Sequence, residues 1–261
     1  MVRIESLHVY PLKSAAVINL AESVVTPQGL LHDRNWLIVD GDGQFITQRT
    51  EPTLAQLRTA ITDTELRLQH PQAGELILPV PSLADAEALP TTPLQKVRVW
   101  KRDILAHDNG DTAAEFVSKI VQRPARLVQA SKENFPDGYP LLICTVESLL
   151  ALNEHMSIAL PMNRFRPNLV LSGLAAWEED RIQSLCINGD IWLRPVKACT
   201  RCVMTGIDQS TGKPGASPLS VLKALRYDPV LRGVTFGQNA KVDRGFGRKL
   251  RVGDSVEVRL F

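Results

Sequence analysis

The sequence has little of what marks several large classes of protein. Only four cysteines occur in 261 residues, too few for the disulfide scaffold of a small secreted domain. No run of about 18 apolar residues is present, so no membrane-spanning helix is predicted. The first residues lack a basic segment followed by an apolar core, which argues against a signal peptide. These absences predict a cytoplasmic protein with reduced thiols and no membrane partner.

The chain has no marked excess of positive or negative charge. The formal net charge is +2, from 30 Lys and Arg against 28 Asp and Glu. This balance does not predict nucleic acid or an anionic membrane surface as a partner, because both favour a strongly basic protein. Any site for an anion must therefore be local. A hydrophobic content of 44% is that of an ordinary globular chain, long enough for one large domain or two smaller ones.

Short strands joined by turns dominate the N-terminal part of the chain. Alternating apolar residues and turn signals predict strands at residues 2–10, 35–40, 44–48, 65–69, 75–78 and 96–100. Gly41-Asp42-Gly43 predicts a hairpin turn between two of them. The proline-rich stretch 78–93 is a candidate linker or long loop. Many short, turn-linked strands favour a barrel or a sandwich over a doubly wound sheet.

The second part of the chain mixes helices with strands. Apolar periodicity predicts helices at residues 112–122, 145–155 and 219–226, and strands at residues 168–171, 191–196 and 255–261. Thr112 and Glu115 fit a capping box at the start of the first helix. Pro218 suits the start of the third helix. The sequence therefore predicts a strand-rich α+β fold, with a domain boundary between residues 105 and 125.

The sharpest chemical feature is Lys197-Ala198-Cys199-Thr200-Arg201-Cys202, which directly follows a predicted strand. A structural zinc site usually needs four ligands, and Cys144 and Cys186 stand alone in the sequence. A thioredoxin-like dithiol would begin a helix, whereas residues 203–208 suggest a strand. A single thiolate on a soft, higher-valent metal is a third interpretation, with Arg201 beside it as a stabilising charge. Two cysteines packed as small hydrophobic residues also remain possible.

Basic residues lie at the edges of three predicted strands. Lys13 and Ser14 end the first strand, Arg34 begins another, and Arg166 and Asn168 precede a third. Arginine can hold a phosphate with two parallel hydrogen bonds, and lysine can pair with it as a point charge. Each cluster taken singly is better explained as a solvated surface charge.

Six motifs, spread over nearly the whole chain, follow one another in the order of a known family. They resemble the family in which a molybdenum cofactor sulfurase C-terminal (MOSC) domain follows a β-barrel partner domain. The motifs are Val9-Tyr10-Pro11-Leu12-Lys13-Ser14, Asp33-Arg34, Phe135-Pro136-Asp137-Gly138-Tyr139-Pro140, Phe165-Arg166-Pro167-Asn168-Leu169-Val170, Cys199-Thr200-Arg201-Cys202 and Phe236-Gly237-Gln238-Asn239.

The resemblance implies an architecture and a set of site residues. Residues 1–120 would form an N-terminal β-barrel-like domain, and residues 121–261 a MOSC β-barrel domain with flanking helices. Cys202 would be the catalytic thiolate that binds molybdenum, while Cys199 would not be a ligand. The residues that would hold the pterin cofactor are Lys13, Ser14, Arg34, Asp137, Gly138, Tyr139, Arg166, Asn168, Thr200, Arg201 and Asn239.

The resemblance also implies an activity. It is that of an oxidoreductase which uses the molybdenum–molybdopterin cofactor to reduce N-hydroxylated small molecules. Some members carry a ferredoxin-like domain after this region and others an N-terminal membrane anchor. We expect neither here, because no cysteine follows Cys202 and the N-terminus lacks an apolar segment. Electrons would then come from a separate ferredoxin-like protein or flavoprotein reductase.

Two other functions stay open at this point. Cys202 could carry a persulfide, which would make the chain a sulfur carrier for the assembly of metal–sulfur clusters or cofactors. Alternatively, the chain could bind the molybdenum cofactor without being an enzyme.

Overall fold

A computed structural model describes residues 1–80 and 94–261. Residues 81–93 of the proline-rich stretch lie outside the described residues. The strands before the first helix are β1 Arg3–Val9, β2 Ile18–Leu20, β3 Glu22–Thr26, β4 Gly29–Leu30, β5 Trp36–Val39, β6 Arg58–Ile61, β7 Glu65–His70, β8 Gly74–Pro79, β9 Leu94–Val99 and β10 Arg102–Asp108.

The remaining strands alternate with the helices α1 Gly110–Val121, α2 Val146–Asn153 and α3 Leu219–Arg226. Short 3-10 helices lie at Pro52–Gln56, Met162–Arg164, Glu178–Arg181 and Val203–Gly206. The strands of this part are β11 Arg126–Ala130, β12 Leu141–Thr145, β13 Leu169–Ser172, β14 Ile182–Ile187, β15 Ile191–Thr200, β16 Tyr227–Asp228, β17 Gly233–Arg244, β18 Lys249–Arg251 and β19 Val256–Leu260.

One large sheet organises the molecule. Its strand order is β19-β14-β15-β17-β12-β13-β1-β2, and β16 pairs with β17 beside this path. The pairs are antiparallel except β12 with β13, which are parallel. Smaller sheets have the orders β5-β11-β10-β9, β6-β7-β8 and β18-β3-β4. The strand-rich α+β prediction is confirmed, and β1, from the start of the chain, pairs with β13 of the C-terminal half.

Separate apolar cores stabilise the β6-β7-β8 sheet and the large sheet. In β7 the buried residues Leu66, Leu68 and His70 alternate with exposed ones, as expected for a strand with one face on a core. This core also receives one face of α1. The large sheet closes around a second core, which contains Ile4 and Leu193. No helix within residues 1–80 and 94–261 is both long and apolar enough to cross a membrane.

Most predicted elements are present, but the capping box at Thr112 and the strand at residues 44–48 were wrong predictions. The predicted capping box at Thr112 is absent, because α1 begins earlier and Asp108 Oδ1 accepts from the amide of Gly110 at 2.7 Å. Residues 44–48 form isolated bridges to Val39 and Arg98 rather than a strand. The helix α2 does begin as predicted, with the Thr145 side chain accepting from the amide of Ser148 at 3.2 Å. The helix α3 spans the predicted residues.

Candidate functional site

The ends of neighbouring strands enclose a cavity of about 450 Å³. Most residues around it come from β15, β17, β12, β13 and β1 or from the segments that adjoin them, and these five strands are consecutive in the large sheet. Arg34 and Arg49 come from the segments on either side of β5, and Trp100 from the turn between β9 and β10. The structure brings every site residue predicted from the sequence to this cavity; their functional roles stay predictions. These lining residues are Lys13, Ser14, Arg34, Asp137, Gly138, Tyr139, Arg166, Asn168, Thr200, Arg201, Cys202 and Asn239.

The cysteine segment is partly strand. β15 continues through Thr200, four residues beyond the predicted end, because its edge pairs with β17 up to Thr235. The amide of Arg201 still donates to Val234 O at 2.8 Å. Cys202 follows, and the strand predicted after it is wrong: Val203–Gly206 is a 3-10 helix. Cys202 therefore sits at the point where an anchored strand turns sharply.

The two thiols of this segment have different surroundings. Arg201 Nη1 donates to Cys199 Sγ at 2.9 Å, and its Nη2 donates to Phe165 O at 2.6 Å. The sequence interpretation placed this charge beside Cys202, and Arg201 interacts electrostatically with both Cys199 and Cys202. Within the described parts of the chain, the Cys202 thiol has no hydrogen-bond partner, although both cysteines line the cavity. Cys202 is therefore the thiol left available to a ligand.

Cys144 packs closely against Gly237 of β17, although it stands alone among the cysteines of the sequence. It is fully buried in β12, and burial raises its pKa well above the ordinary value, so it stays a neutral thiol. Gly237 of β17 makes this close packing possible. It has φ +76, and a Cβ there would lie 2.6 Å from Cys144 Sγ and 2.7 Å from Ile143 O. The motif around Gly237 thus fixes β17, and with it Asn239, against β12.

The cavity is strongly cationic. Among the described residues, seven lysine and arginine side chains line it, against one carboxylate, that of Asp137. Sequence reasoning assigned four of these cations and missed Arg49, Arg164 and Lys197. Arg164 lies inside a basic stretch of the sequence, but Arg49 has no local signal that separates it from a surface arginine. Such a lining predicts an anionic ligand.

Asp137 accepts hydrogen bonds from three side chains at one corner of the cavity. Its Oδ1 accepts from Lys13 Nζ at 2.6 Å and from Trp100 Nε1 at 3.1 Å, and its Oδ2 accepts from Arg49 Nη2 at 3.2 Å. Burial lowers the pKa of Lys13 to about 8 although Asp137 opposes the shift. Burial would raise the pKa of Asp137, but the charges of Lys13 and Arg49 hold it well below its usual range.

Tyr10 holds two further cations in place. Its ring centroid lies 4.1 Å from the guanidinium carbon of Arg166 and 4.9 Å from that of Arg34. Arg34 also pairs with Asp33, and Arg166 Nη1 donates to Ala15 O at 2.8 Å. Burial lowers the pKa of Arg166 to about 10, so it remains charged at neutral pH.

Three of the predicted site residues have a left-handed backbone. Ser14 has φ 70, Arg34 φ 54 and Arg166 φ 56, a conformation that is unfavourable for residues with a Cβ. Each costs on the order of 1–3 kcal/mol, so the surrounding contacts must hold it. Backbone strain of this kind concentrates at ligand sites, which supports a binding role for these segments.

Several buried guanidinium nitrogens around the cavity lack an acceptor. Among the described residues, Arg49 Nη1, Arg201 Nε and both Nε and Nη1 of Arg164 have no hydrogen-bond partner. Arg164 is 5% exposed, and its one ion pair joins Nη2 to Asp208 at 3.0 Å. Buried donors are almost always satisfied in folded proteins. These free N–H groups therefore indicate that an acceptor-rich ligand completes the site.

Comparison with known proteins gives matches along the whole chain. Residues 1–124 match the MOSC N-terminal beta barrel domain, and residues 130–257 match the MOSC domain. The chain is 34% identical to mitochondrial amidoxime reducing component 2 of Bos taurus and 33% identical to that of Homo sapiens. It is 30% identical to mitochondrial amidoxime-reducing component 1 of Mus musculus. Each alignment covers 97% of this chain and 81–82% of the relative.

Proposed function

The chain belongs to the family in which a MOSC N-terminal beta barrel domain precedes a MOSC domain, and we propose that it is a molybdenum-cofactor-dependent reductase of N-hydroxylated compounds. Relatives at 30–34% identity over nearly the whole chain are named for the reduction of amidoximes. An amidoxime carries an N–O bond, so the proposed substrates are small molecules of this kind.

The observation that carries the proposal is the pairing of one free thiol with an unsatisfied cationic cavity. In the described structure, the Cys202 thiol lacks a hydrogen-bond partner, and buried nitrogens of Arg49, Arg164 and Arg201 lack acceptors. A molybdenum–pterin cofactor carries a phosphate, a polar heterocycle and a soft metal. The donor set fits all three parts, because guanidinium groups suit phosphate and a thiolate suits a soft metal.

In this proposal, the residues that line the cavity bind different parts of the cofactor. Cys202 would supply the thiolate ligand of molybdenum. Lys13, Arg34, Arg166 and Arg201 would hold the phosphate by charge-assisted hydrogen bonds. The remaining groups would orient the pterin and exclude water: Ser14, Asp137, Gly138, Tyr139, Asn168, Thr200 and Asn239.

When bound, the cofactor supplies the redox chemistry that breaks the N–O bond, whereas the protein positions it and tunes it. Removal of the oxygen as water consumes two electrons and two protons. We propose that a separate one-electron carrier delivers the electrons. Two of the four cysteines, Cys144 and Cys186, are buried in sheet cores, so they cannot bind an exposed iron–sulfur cluster together with Cys199 and Cys202.

The test is metal and pterin analysis of the protein from a host that makes the cofactor. We expect about one molybdenum and one pterin per chain, and reduction of an amidoxime with reduced viologen. Cys202→Ser should lose the molybdenum, while Cys186→Ser, which removes a remote thiol of β14, should keep it. Sulfane sulfur on Cys202 without molybdenum would instead favour a sulfur carrier. Full cofactor without any reductase activity would favour a binding protein.

A further inference from the structure

An exposed hairpin lies directly beside the Cys202 segment. β16 and β17 form it, with Tyr227 opposite Val234 and Asp228 opposite Gly233. Thr200 pairs with Thr235 in the same ladder that joins β15 to β17. Gly233 packs on the Thr200 side chain, where an added Cβ would lie 3.2 Å from Thr200 Cγ2. The tip of the hairpin is thus next to the end of the strand that leads to Cys202.

Large apolar side chains are exposed around this hairpin. Val230 at its tip is 87% exposed, and Tyr227 and Leu225 are also exposed. Val203, the residue after Cys202, is 60% exposed. The helix α3, which carries Leu225, packs against the 3-10 helix that begins at Val203, and it also contacts β16 and β17 of the hairpin. A cluster of this kind at a cofactor cavity is typical of an interaction site.

The conformation of the hairpin is fixed before any partner binds. Asp228 Oδ1 accepts from the amides of Val230 and Leu231, both at 2.8 Å. Thr235 Oγ1 donates to Arg226 O at 3.3 Å. Arg232 completes the turn in the left-handed region, with φ 51. The apolar tip is therefore presented by a rigid turn, which lowers the entropic cost of docking.

The charges on this side are positive. Lys197, Lys223 and Arg232 are exposed and have no ion-pair partner among the described residues. The carboxylates nearby are already engaged: Asp228 by the amides of the turn, and Asp180 by Arg226. A partner that docks here must therefore bring carboxylates of its own. A second copy of this chain would instead meet like charges.

We propose that this hairpin surface, formed by Val203, Leu225, Tyr227, Val230, Lys197, Lys223 and Arg232, docks a small acidic one-electron carrier protein. The proposal rests on the proposed function, since it supplies the electrons for that reaction. An apolar centre with a cationic rim fits a transient complex that forms fast and releases fast. The location suits the task, because Val203 at the surface is bonded directly to Cys202 in the cavity.

The test compares two reductants on the cofactor-loaded protein. Reduced viologen needs no docking surface, whereas a reduced acidic [2Fe–2S] ferredoxin of the plant type does. Val230→Asp and Arg232→Glu should lower ferredoxin-driven turnover about tenfold and leave viologen-driven turnover unchanged. The matched controls are Leu105→Asp, an exposed apolar residue of β10, and Arg58→Glu, an exposed residue of β6. Both controls should behave as the unaltered protein with either reductant.

A binding readout accompanies the kinetics. Calorimetric titration with the same ferredoxin should show an affinity that falls with added salt, and Arg232→Glu should weaken it about tenfold at low salt. Equal ferredoxin binding and turnover in the hairpin and control variants would overturn the docking surface. So would failure of ferredoxin to bind or reduce the unaltered protein, or a dimer that Val230→Asp dissociates. No viologen-driven turnover by the unaltered, cofactor-loaded protein would instead overturn the proposed function.

Discussion

Replacement of Arg164 by methionine should have opposite effects with and without a ligand. Within residues 1–80 and 94–261, only Nη2 of this buried guanidinium has a hydrogen-bond partner, Asp208, at 3.0 Å. Its Nε and Nη1 are buried without an acceptor in the described structure. We predict that Arg164→Met leaves the ligand-free protein equally or more stable, because it removes unsatisfied donors. The same change should weaken anion binding, because it removes the donors that the anion would satisfy.

The magnitudes follow from these contacts. An unsatisfied buried donor costs about 1–3 kcal/mol, which the apolar side chain would recover. Losing the pair with the half-exposed Asp208 costs about 0.2–1 kcal/mol, since solvent screens it. The free energy of unfolding of the ligand-free protein should therefore rise by about 0–3 kcal/mol. With an anion bound, a lost charge-assisted hydrogen bond should cost about 1.5–3 kcal/mol, or roughly ten- to a hundredfold in affinity.

Thermal unfolding of cofactor-free protein, with increasing pyrophosphate, measures both effects. Arg226→Met is the matched control, because Arg226 also has a buried Nε without an acceptor and pairs with an aspartate, Asp180, but does not line the cavity. The control should keep the normal pyrophosphate-induced rise in unfolding temperature. The reasoning fails if Arg164→Met destabilises the ligand-free protein and leaves that rise unchanged, since Arg164 would then be a structural ion pair.

Three further predictions concern the thiols, the pH dependence and the electron supply. Cys202→Ala should abolish bound molybdenum and activity while Cys199→Ala keeps most of the metal; equal losses, measured by metal analysis, would point to a two-cysteine site. Pyrophosphate affinity should fall as pH rises through about 8, because burial lowers the pKa of Lys13 to that value and its side chain then loses its charge. Lys13→Arg should flatten this pH dependence in titrations between about pH 7 and 9. An unchanged slope would exclude Lys13 as the titrating group. The cofactor-loaded chain should not reduce an amidoxime with NADH or NADPH alone, because no flavin or dinucleotide motif is visible, but should do so with reduced viologen; turnover with NADH and no second protein would reveal an internal electron path.

Local sequence signals succeeded where a single strong pattern decides the structure. Pro218 at the start of residues 219–226 predicted α3, and the apolar residues of 145–155 predicted α2. They failed where pairing with distant strands decides. β15 continues to Thr200 because β17 offers a partner along its whole length, and nothing in residues 197–200 announces this. The capping box at Thr112 failed because Asp108 competes for the same helix start.

By itself, the sequence determined the balanced composition, the strand-rich fold class and the order of six short motifs with their cysteines, cations and turn residues. These are local properties, since side-chain chemistry and periodicity belong to neighbouring residues. Only the tertiary structure decided that these motifs surround one cavity, because the order of strands β15-β17-β12-β13-β1 is set by pairing between distant segments. The same holds for Arg49 and Arg164. An arginine becomes a buried, unsatisfied donor only through what packs around it.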